Sequence, residues 1–258
     1  MGMDDFEQFK QRVKRHTGID LNQYKQPQMK RRLTSLRQKR GFASFAAYYD
    51  ALIKDPELLN EFMDRMTINV SEFFRNPERW QVLERKILPR LLQHRSPLKI
   101  WSAACSTGEE PYSLVMLLSR LMPLEQIHVQ ATDIDQAAID KAKQGIYVQR
   151  AVQHVPAHLL RTYFEHETGS YVLSEKIKSR VTFDRHNLLA DPFPKGLDLI
   201  LCRNVLIYFT EEAKRRLFQH FSQSLRNGGV LFVGSTEQIF YPETFGLEPE
   251  APFFYRKL

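Results

Sequence analysis

The stretch that decides the fold is LKIWSAACSTGEEPY, residues 98–112. Leu98, Ile100 and Trp101 head a short apolar run that closes on small residues, and a run bounded in this way reads as a buried strand. Ser106, Thr107 and the pair Glu109-Glu110 fit a helix N-terminus, and Pro111 is tolerated in a first turn. Strand, small-residue turn, helix is the opening unit of a nucleotide-binding α/β fold, because small side chains let a ligand approach the backbone. Two carboxylates after Gly108 would repel a pyrophosphate. They suit a cation, or ribose hydroxyls in need of acceptors. A sulfonium nucleoside, S-adenosyl-L-methionine, meets that demand better than a dinucleotide. An ordinary strand-to-helix turn is the bland alternative for this stretch alone.

Towards the C-terminus the pattern alternates. A helix is predicted over Glu109–Leu121, stopped by Pro123, then a strand over Ile127–Thr132 that ends in Asp133-Ile134-Asp135. Asp133 follows Gly108 at close to the spacing, roughly 20 residues, at which such folds place a ribose acceptor. Asp135 caps a helix that runs to Lys143 and ends at Gly145. Residues 146–180 break the rhythm, with a helix over Val155–Phe164 and a small hairpin from Ser170–Leu173 and Lys176–Arg180. Further strands are predicted over Val181–Asp184, Leu197–Cys202 and Val230–Gly234, with a helix from the N-cap Thr210 to Leu225. A last strand over Phe253–Lys257 pairs near Phe240–Leu247 or with Val230–Gly234. The sum is a mostly parallel, doubly wound sheet whose ligand lies beyond the carboxyl ends of the strands. The residues there are Ala103 to Glu109, Asp133, Asn187 and Cys202 to Tyr208.

Towards the N-terminus, residues 4–90 show helical periodicity and no convincing strand, so the chain divides into a helical domain over 1–95 and an α/β domain over 96–258, with an insertion at about 146–180. Met29, Leu33 and Leu36 set a narrow apolar stripe on a helix whose span Lys25–Arg40 holds seven Lys or Arg and no acid. Like charges at i,i+4 destabilise a helix, so a run of this density reads as a docking face for an acidic surface rather than a merely solvated face. In the segment Thr67–Arg75, Asn69, Ser71 and Arg75 fall at alternating positions beside Phe73 and Phe74, which places three polar groups toward one cleft.

Composition narrows the partners. The chain has 258 residues, 37 Lys or Arg against 30 Asp or Glu, and a net charge of +7, which calls for an anionic partner. Mean hydropathy is −0.42, and no apolar run approaches the roughly 18 residues of a membrane span. The acidic, polar N-terminus is unlike a secretory signal, so a cytoplasmic location is expected. Two cysteines, Cys105 and Cys202, and scattered histidines imply neither a disulfide framework nor a metal.

Taken in order, TINVSEFFR (Thr67–Arg75), AACSTGEEPYS (Ala103–Ser113), ATDID (Ala131–Asp135), NLL (Asn187–Leu189) and LCRNVLIYF (Leu201–Phe209) resemble the chemotaxis receptor methyltransferases, the CheR family, over nearly the whole chain. The resemblance implies a class I methyltransferase domain, Rossmann-like, joined to an all-helical N-terminal domain, with a small inserted subdomain. It implies S-adenosyl-L-methionine as donor, S-adenosyl-L-homocysteine as product, and glutamate side chains on the cytoplasmic methylation helices of transmembrane chemoreceptors as acceptors. Carried over motif by motif, it implies cofactor contacts from Asn69, Ser71, Arg75, Ala103, Glu109, Asp133, Asn187, Leu188, Cys202, Arg203 and Asn204. Arg75 and Tyr208 take the catalytic positions. The basic helix, through Lys30, Arg31, Arg32, Arg37, Lys39 and Arg40, takes the role of receptor docking. Ser71 stands where the family often has Thr, which keeps the hydroxyl. The stretch Glu165–Arg180 is short for the subdomain through which some relatives tether a receptor C-terminal peptide, so tethering is expected to be weak or absent. Two rivals stand beside this reading. A nucleic-acid methyltransferase is disfavoured because RNVLIY replaces an NPPY-type motif after the fourth strand. A non-catalytic cofactor-binding docking module is disfavoured because Arg75 and Tyr208 are both present.

Overall fold

A computed structural model describes residues 4–67, 71–94 and 97–258. The chain forms two compact units: residues 1–69 with 189–191 and 208–217, and the remainder.

The first unit is helical. It holds α1 (Asp5–Thr17), α2 (Gln26–Lys39), α3 (Phe45–Leu52) and α4 (Pro56–Thr67). Phe6, Phe9, Phe45, Tyr48 and Phe62 supply an aromatic core with ring centroids 4.8–6.2 Å apart in the paired contacts. The apolar stripe of α2 is buried as its spacing predicts, with Met29, Leu33 and Leu36 each 3% exposed or less. Ser44 caps α3 by accepting the Ala47 N–H at 3.1 Å, and Asp5 accepts two more first-turn donors, Phe45 N–H at 2.6 Å and Ala46 N–H at 3.0 Å. The carboxylate therefore ties α1 to the positive end of α3.

The second unit begins with α5 (Pro77–Val82), a π-helical turn (Leu83–Ile87) and α6 (Leu88–His94). This stretch, grouped by sequence with the helical module, lies in the α/β unit. Its apolar side is the reason: Trp80, Leu83, Ile87, Leu88 and Leu91 join the core that contains the sheet, and Trp80 meets Phe232 edge-on.

The strands are β1 (Ile100–Ala103), β2 (Val129–Asp133), β3 (Ile146–Val148), β4 (Phe164–Glu167), β5 (Ser170–Leu173), β6 (Val181–Arg185), β7 (Leu197–Cys202), β8 (Leu225–Val233), β9 (Leu247–Ala251) and β10 (Phe254–Lys257). Interleaved are α7 (Glu109–Leu118), α8 (Gln136–Gln144), α9 (Ala157–Tyr163), α10 (Glu175–Lys178) and α11 (Glu211–Ser224). A seven-stranded sheet has the order β6-β2-β1-β7-β8-β10-β9. Its first five strands are parallel, and β10 runs antiparallel to both β8 and β9. After β1 the chain builds outward through β2 to β6, then returns to add β7 on the other side. The strand order thus reverses between β1 and β7, and the carboxyl ends of the strands at such a switch point are where an α/β sheet holds its ligand.

Two expectations are corrected. Lys176–Arg180 is not the second arm of a hairpin. Residues 175–178 form α10, started by Ser174 Oγ, which accepts the Lys176 N–H at 3.3 Å. β5 instead pairs with β3 and β4 in a separate three-stranded antiparallel sheet. The strand expected over Val230–Gly234 begins earlier: the helix after Thr210 ends at Ser224, and β8 starts at Leu225. Thr210 does cap it, accepting the Ala213 N–H at 3.2 Å. β7 is buried along its length yet carries Asp198, 0% exposed. That carboxylate is matched by the Lys99 N–H at 2.7 Å and by the Arg226 guanidinium.

Candidate functional site

The site in the α/β unit grows from the turn that follows β1. Ala103 ends the strand, fully buried. Ala104 at φ 61° and Ser106 at φ 49° turn the chain, and Gly108 at φ 91° starts α7. A side chain at Gly108 would be strained by that φ and would also meet Ala142 Cβ at 2.9 Å, so only glycine brings α7 this close to α8. The neighbouring strand is pinned to the turn: Cys105 N–H donates to the Thr132 carbonyl at 2.9 Å, and Ser106 N–H donates to Asp133 Oδ2 at 2.8 Å.

Asp133 ends β2. Its second oxygen, Oδ1, accepts the Asp135 N–H at 2.9 Å, and the residue is 6% exposed. Burial pushes its carboxyl up to about 6, against the pull of the backbone N–H groups toward the charged form. Each oxygen has a lone pair to spare, so the carboxylate can still accept from a diol.

Glu109 opens α7 and is 4% exposed. Its oxygens accept the Thr107 hydroxyl at 2.7 and 2.9 Å, and Ser71 supplies a further hydroxyl. Burial raises its pKa, with the Thr107 hydrogen bond opposing. Among the described residues no ion pair neutralises this carboxylate, although a charge so placed normally has one. A buried anion held by hydroxyls and its own backbone N–H, with no cation among the described residues, suits an external cation. S-Adenosylmethionine brings a cationic ammonium and a ribose diol. Glu109 and Asp133 offer acceptors of the kind those groups require, so the residues present fit it.

The other residues expected around the cofactor fall as follows. Asn187 and Leu188 come just after β6, half-buried and buried respectively. Cys202 ends β7 fully buried, and that burial raises the pKa of its thiol. Asn204, at φ 61°, begins the next turn. Asn69 lies outside the described residues. Arg203 differs from the expectation in one respect: its side chain is 3% exposed and is turned into the protein, where it meets Glu110, Arg75 and Asn76. Ser71 and the half-buried Arg75 sit on the segment that leads into α5, anchored where Phe73 N–H donates to the Ala151 carbonyl at 2.9 Å.

Sequence reasoning missed three contributors. Glu110, expected only to start α7, accepts the Ser102 hydroxyl at 2.8 Å and pairs with Arg203 at 3.6 Å. Tyr147 donates its hydroxyl to the Thr107 carbonyl at 2.8 Å and so fixes the turn beside Glu109. Glu237, 6% exposed, accepts N–H groups of Asn204 and Gly234 on Oε2 at 2.7 and 2.8 Å, and that of Ile207 on Oε1 at 3.3 Å. It thereby shapes the turn between β7 and Tyr208. An acid at the exit of a central strand is the signal that could have found it.

The helical unit holds the remaining residues expected at the site. Tyr208 belongs to it and is tied to the start of α2: Lys25 N–H donates to the Tyr208 carbonyl at 2.9 Å, and Tyr24 bridges Phe209 with ring centroids 5.1 Å apart. The Arg32 guanidinium stands 5.6 Å over the Tyr208 ring and donates to the Arg65 carbonyl at 3.3 Å. The basic helix is less uncompensated than its sequence suggests. Lys30 pairs with Asp4 at 3.1 Å and Arg40 with Glu61 at 2.6 Å, while Arg37 donates to the Ala43 carbonyl and covers Phe45. Arg31 and Lys39 remain exposed, and no acid among the described residues pairs with them.

The CheR methyltransferase SAM-binding domain matches residues 69–252, and the CheR methyltransferase all-alpha domain matches residues 4–67. The chain belongs to the CheR methyltransferase family. It is an S-adenosylmethionine-dependent methyltransferase of class I fold. It is 45% identical over 254 residues to a chemotaxis protein methyltransferase of Listeria monocytogenes, covering 98% of this chain and 97% of the relative. A chemotaxis protein methyltransferase of Listeria innocua is 44% identical with the same coverage. One from Borreliella burgdorferi is 34% identical, covering 86% of this chain and 83% of the relative. No helix among the described residues is long and apolar enough to cross a membrane.

Proposed function

We propose that this methyltransferase esterifies glutamate side chains on the cytoplasmic methylation helices of transmembrane chemoreceptors, giving glutamyl methyl esters for sensory adaptation in the cytoplasm. The observation that carries the acceptor assignment is the union of Tyr208 with the basic helix in one compact unit, through Lys25, Tyr24 and Arg32. A helix that attracts an acidic surface is thereby tied to a residue of the catalytic pair. The names of the Listeria and Borreliella relatives support the same pathway.

S-Adenosylmethionine supplies, when bound, an electrophilic methyl on a sulfonium. Asp133 would hold the ribose diol and Glu109 the ammonium. Ser71, Ala103, Asn187, Leu188, Cys202 and Asn204 would complete the contacts, several of them through backbone. The acceptor glutamate, with an ordinary pKa near 4.3, is already ionised at neutral pH, so no side chain of this chain needs to remove a proton. Arg75 orients the acceptor carboxylate, and Tyr208 holds the substrate through its hydroxyl or ring. Opposite charges neutralise each other as the bond forms, so exclusion of water and placement in line with the methyl are the chain's main contributions. Arg31 and Lys39 lead receptor docking, with Lys30, Arg32, Arg37 and Arg40 around them. Receptor-peptide tethering is absent from this proposal, because strands of three and four residues give the small sheet little edge. Mass mapping of a purified receptor cytoplasmic fragment after incubation with enzyme and cofactor tests the acceptor. One added methyl on glutamates is expected, and modification of another residue type contradicts the proposal.

A further inference from the structure

Arg75 sits between two residues in the left-handed region, Phe74 at φ 52° and Asn76 at φ 60°. Asn adopts that conformation at little cost, but a phenylalanine holds it only where the surroundings enforce it. The enforcing contacts are explicit. The Arg75 carbonyl accepts from Trp80 Nε1 at 3.1 Å and from Arg203 Nη2 at 2.7 Å. The same Arg203 nitrogen reaches Asn76 Oδ1 at 3.2 Å. On the other side, Phe74 N–H donates to Ser113 Oγ at 3.0 Å, and that hydroxyl donates to the Glu109 carbonyl at 2.6 Å.

Arg203 is itself clamped. Its Nη1 faces Glu110 Oε2 at 3.6 Å, and its guanidinium lies 4.5 Å from the Phe232 ring centroid. Glu110 is oriented in turn by the Ser102 hydroxyl. An arginine and a glutamate removed from water in this way add little net stability, so their placement points to a role other than stability.

We propose that Arg203 and Glu110 are positioning residues for methyl transfer: the buried guanidinium, aligned by Glu110, locks the Phe74–Asn76 turn and so aims Arg75. This rests on the assignment of Arg75 to the acceptor carboxylate. The Arg203 side chain then acts on turnover rather than on cofactor affinity.

Deleting Arg203 alone would strand the Glu110 charge, so the test pairs Arg203→Met with Glu110→Gln. In full-length enzyme, kcat is expected to fall on the order of 10–100-fold, the loss a misplaced reacting group brings. S-Adenosylhomocysteine affinity stays unchanged. In an Arg75→Ala background the same pair of changes should cost nothing further, because groups that act as a unit are not additive. Wild-type kcat, an equal loss of cofactor affinity, or losses that multiply with Arg75→Ala would each overturn the proposal. Trp80→Phe removes the other donor to the same carbonyl while keeping an aromatic ring, and it should show a smaller loss of the same kind. It decides the matter if the paired variant does not fold: wild-type kcat, or a loss that multiplies with Arg75→Ala, refutes the clamp. Amide exchange at residues 73–77 separates the two levels. Faster exchange in either variant supports the clamp even if Arg75→Ala keeps its turnover, which would sink the role of Arg75 alone. Unchanged exchange in the variant that folds refutes the clamp.

Discussion

Asp133 accepts the backbone N–H of Ser106 at 2.8 Å, so the carboxylate expected to hold the ribose also pins the turn after β1. The proposed cofactor seat and the glycine turn are thus one hydrogen-bonded object. The carboxyl is pushed up to about 6 by burial, above an unfolded value of 3.8. A raised carboxylate pKa stabilises the fold at pH below the unfolded value, and that contribution is lost as pH rises through about 6. Cofactor binding has the opposite sense, because a ribose diol donates to the ionised form. Binding should therefore release a proton, and cofactor affinity should weaken about tenfold from pH 7 to pH 5. Calorimetry in buffers of differing ionisation enthalpy checks both. Asp133→Asn should bind weakly and with a shallower pH dependence, the remainder coming from Glu109.

Glu109 offers a second test with opposite effects on two states. Glu109→Gln removes a buried carboxylate whose pKa burial has raised. The cofactor-free protein should melt at the same temperature or higher. Cofactor affinity should drop on the order of 10–100-fold, the worth of a charge-assisted hydrogen bond of ~1.5–3 kcal/mol. Thermal melts with and without S-adenosylhomocysteine measure the two together.

For docking, Arg31→Glu with Lys39→Glu should raise the receptor KM and leave cofactor affinity intact. The same reversal at Lys30 or Arg40 should do less, since Asp4 and Glu61 already occupy those charges. The wild-type receptor KM should rise with salt, as exposed charges are screened within about 10 Å at 0.1 M. Steady-state kinetics at two ionic strengths suffices.

Gly234 is close-packed against the turn that leads to Tyr208. A Cβ there would meet Glu237 Oε2 at 2.4 Å and the Asn204 nitrogen at 2.8 Å. Gly234→Ala should cost about 1–3 kcal/mol of stability by overpacking and should lower kcat by displacing the Asn204–Ile207 turn. Denaturant melts read the first and turnover the second.

The strand, turn and helix around Gly108, the acid at the end of β2 and the apolar stripe of α2 were legible because each is written in neighbouring residues. The caps by Ser44, Asp135 and Thr210 are equally local. What sequence left hidden is made of distant pairs. Glu110 reads as a helix-start acid in sequence, and only the fold brings Arg203 beside it. Lys30 and Arg40 looked uncompensated because their acids come from α1 and α4 sides of the unit. Lys176–Arg180 was misread because a four-residue helix gives too few positions to show a period, and only the Ser174 cap marks it. Helix α5 reads with the helical module because periodicity reveals an apolar face and not the surface it packs against.

The most direct measurement is transfer of labelled methyl from S-adenosylmethionine to receptor-bearing membranes, followed by alkali. Esterification of glutamates predicts label in the receptors that alkali releases as methanol, with Arg75→Ala folded and nearly inactive. No transfer, alkali-stable label, or near-normal turnover by Arg75→Ala would contradict it.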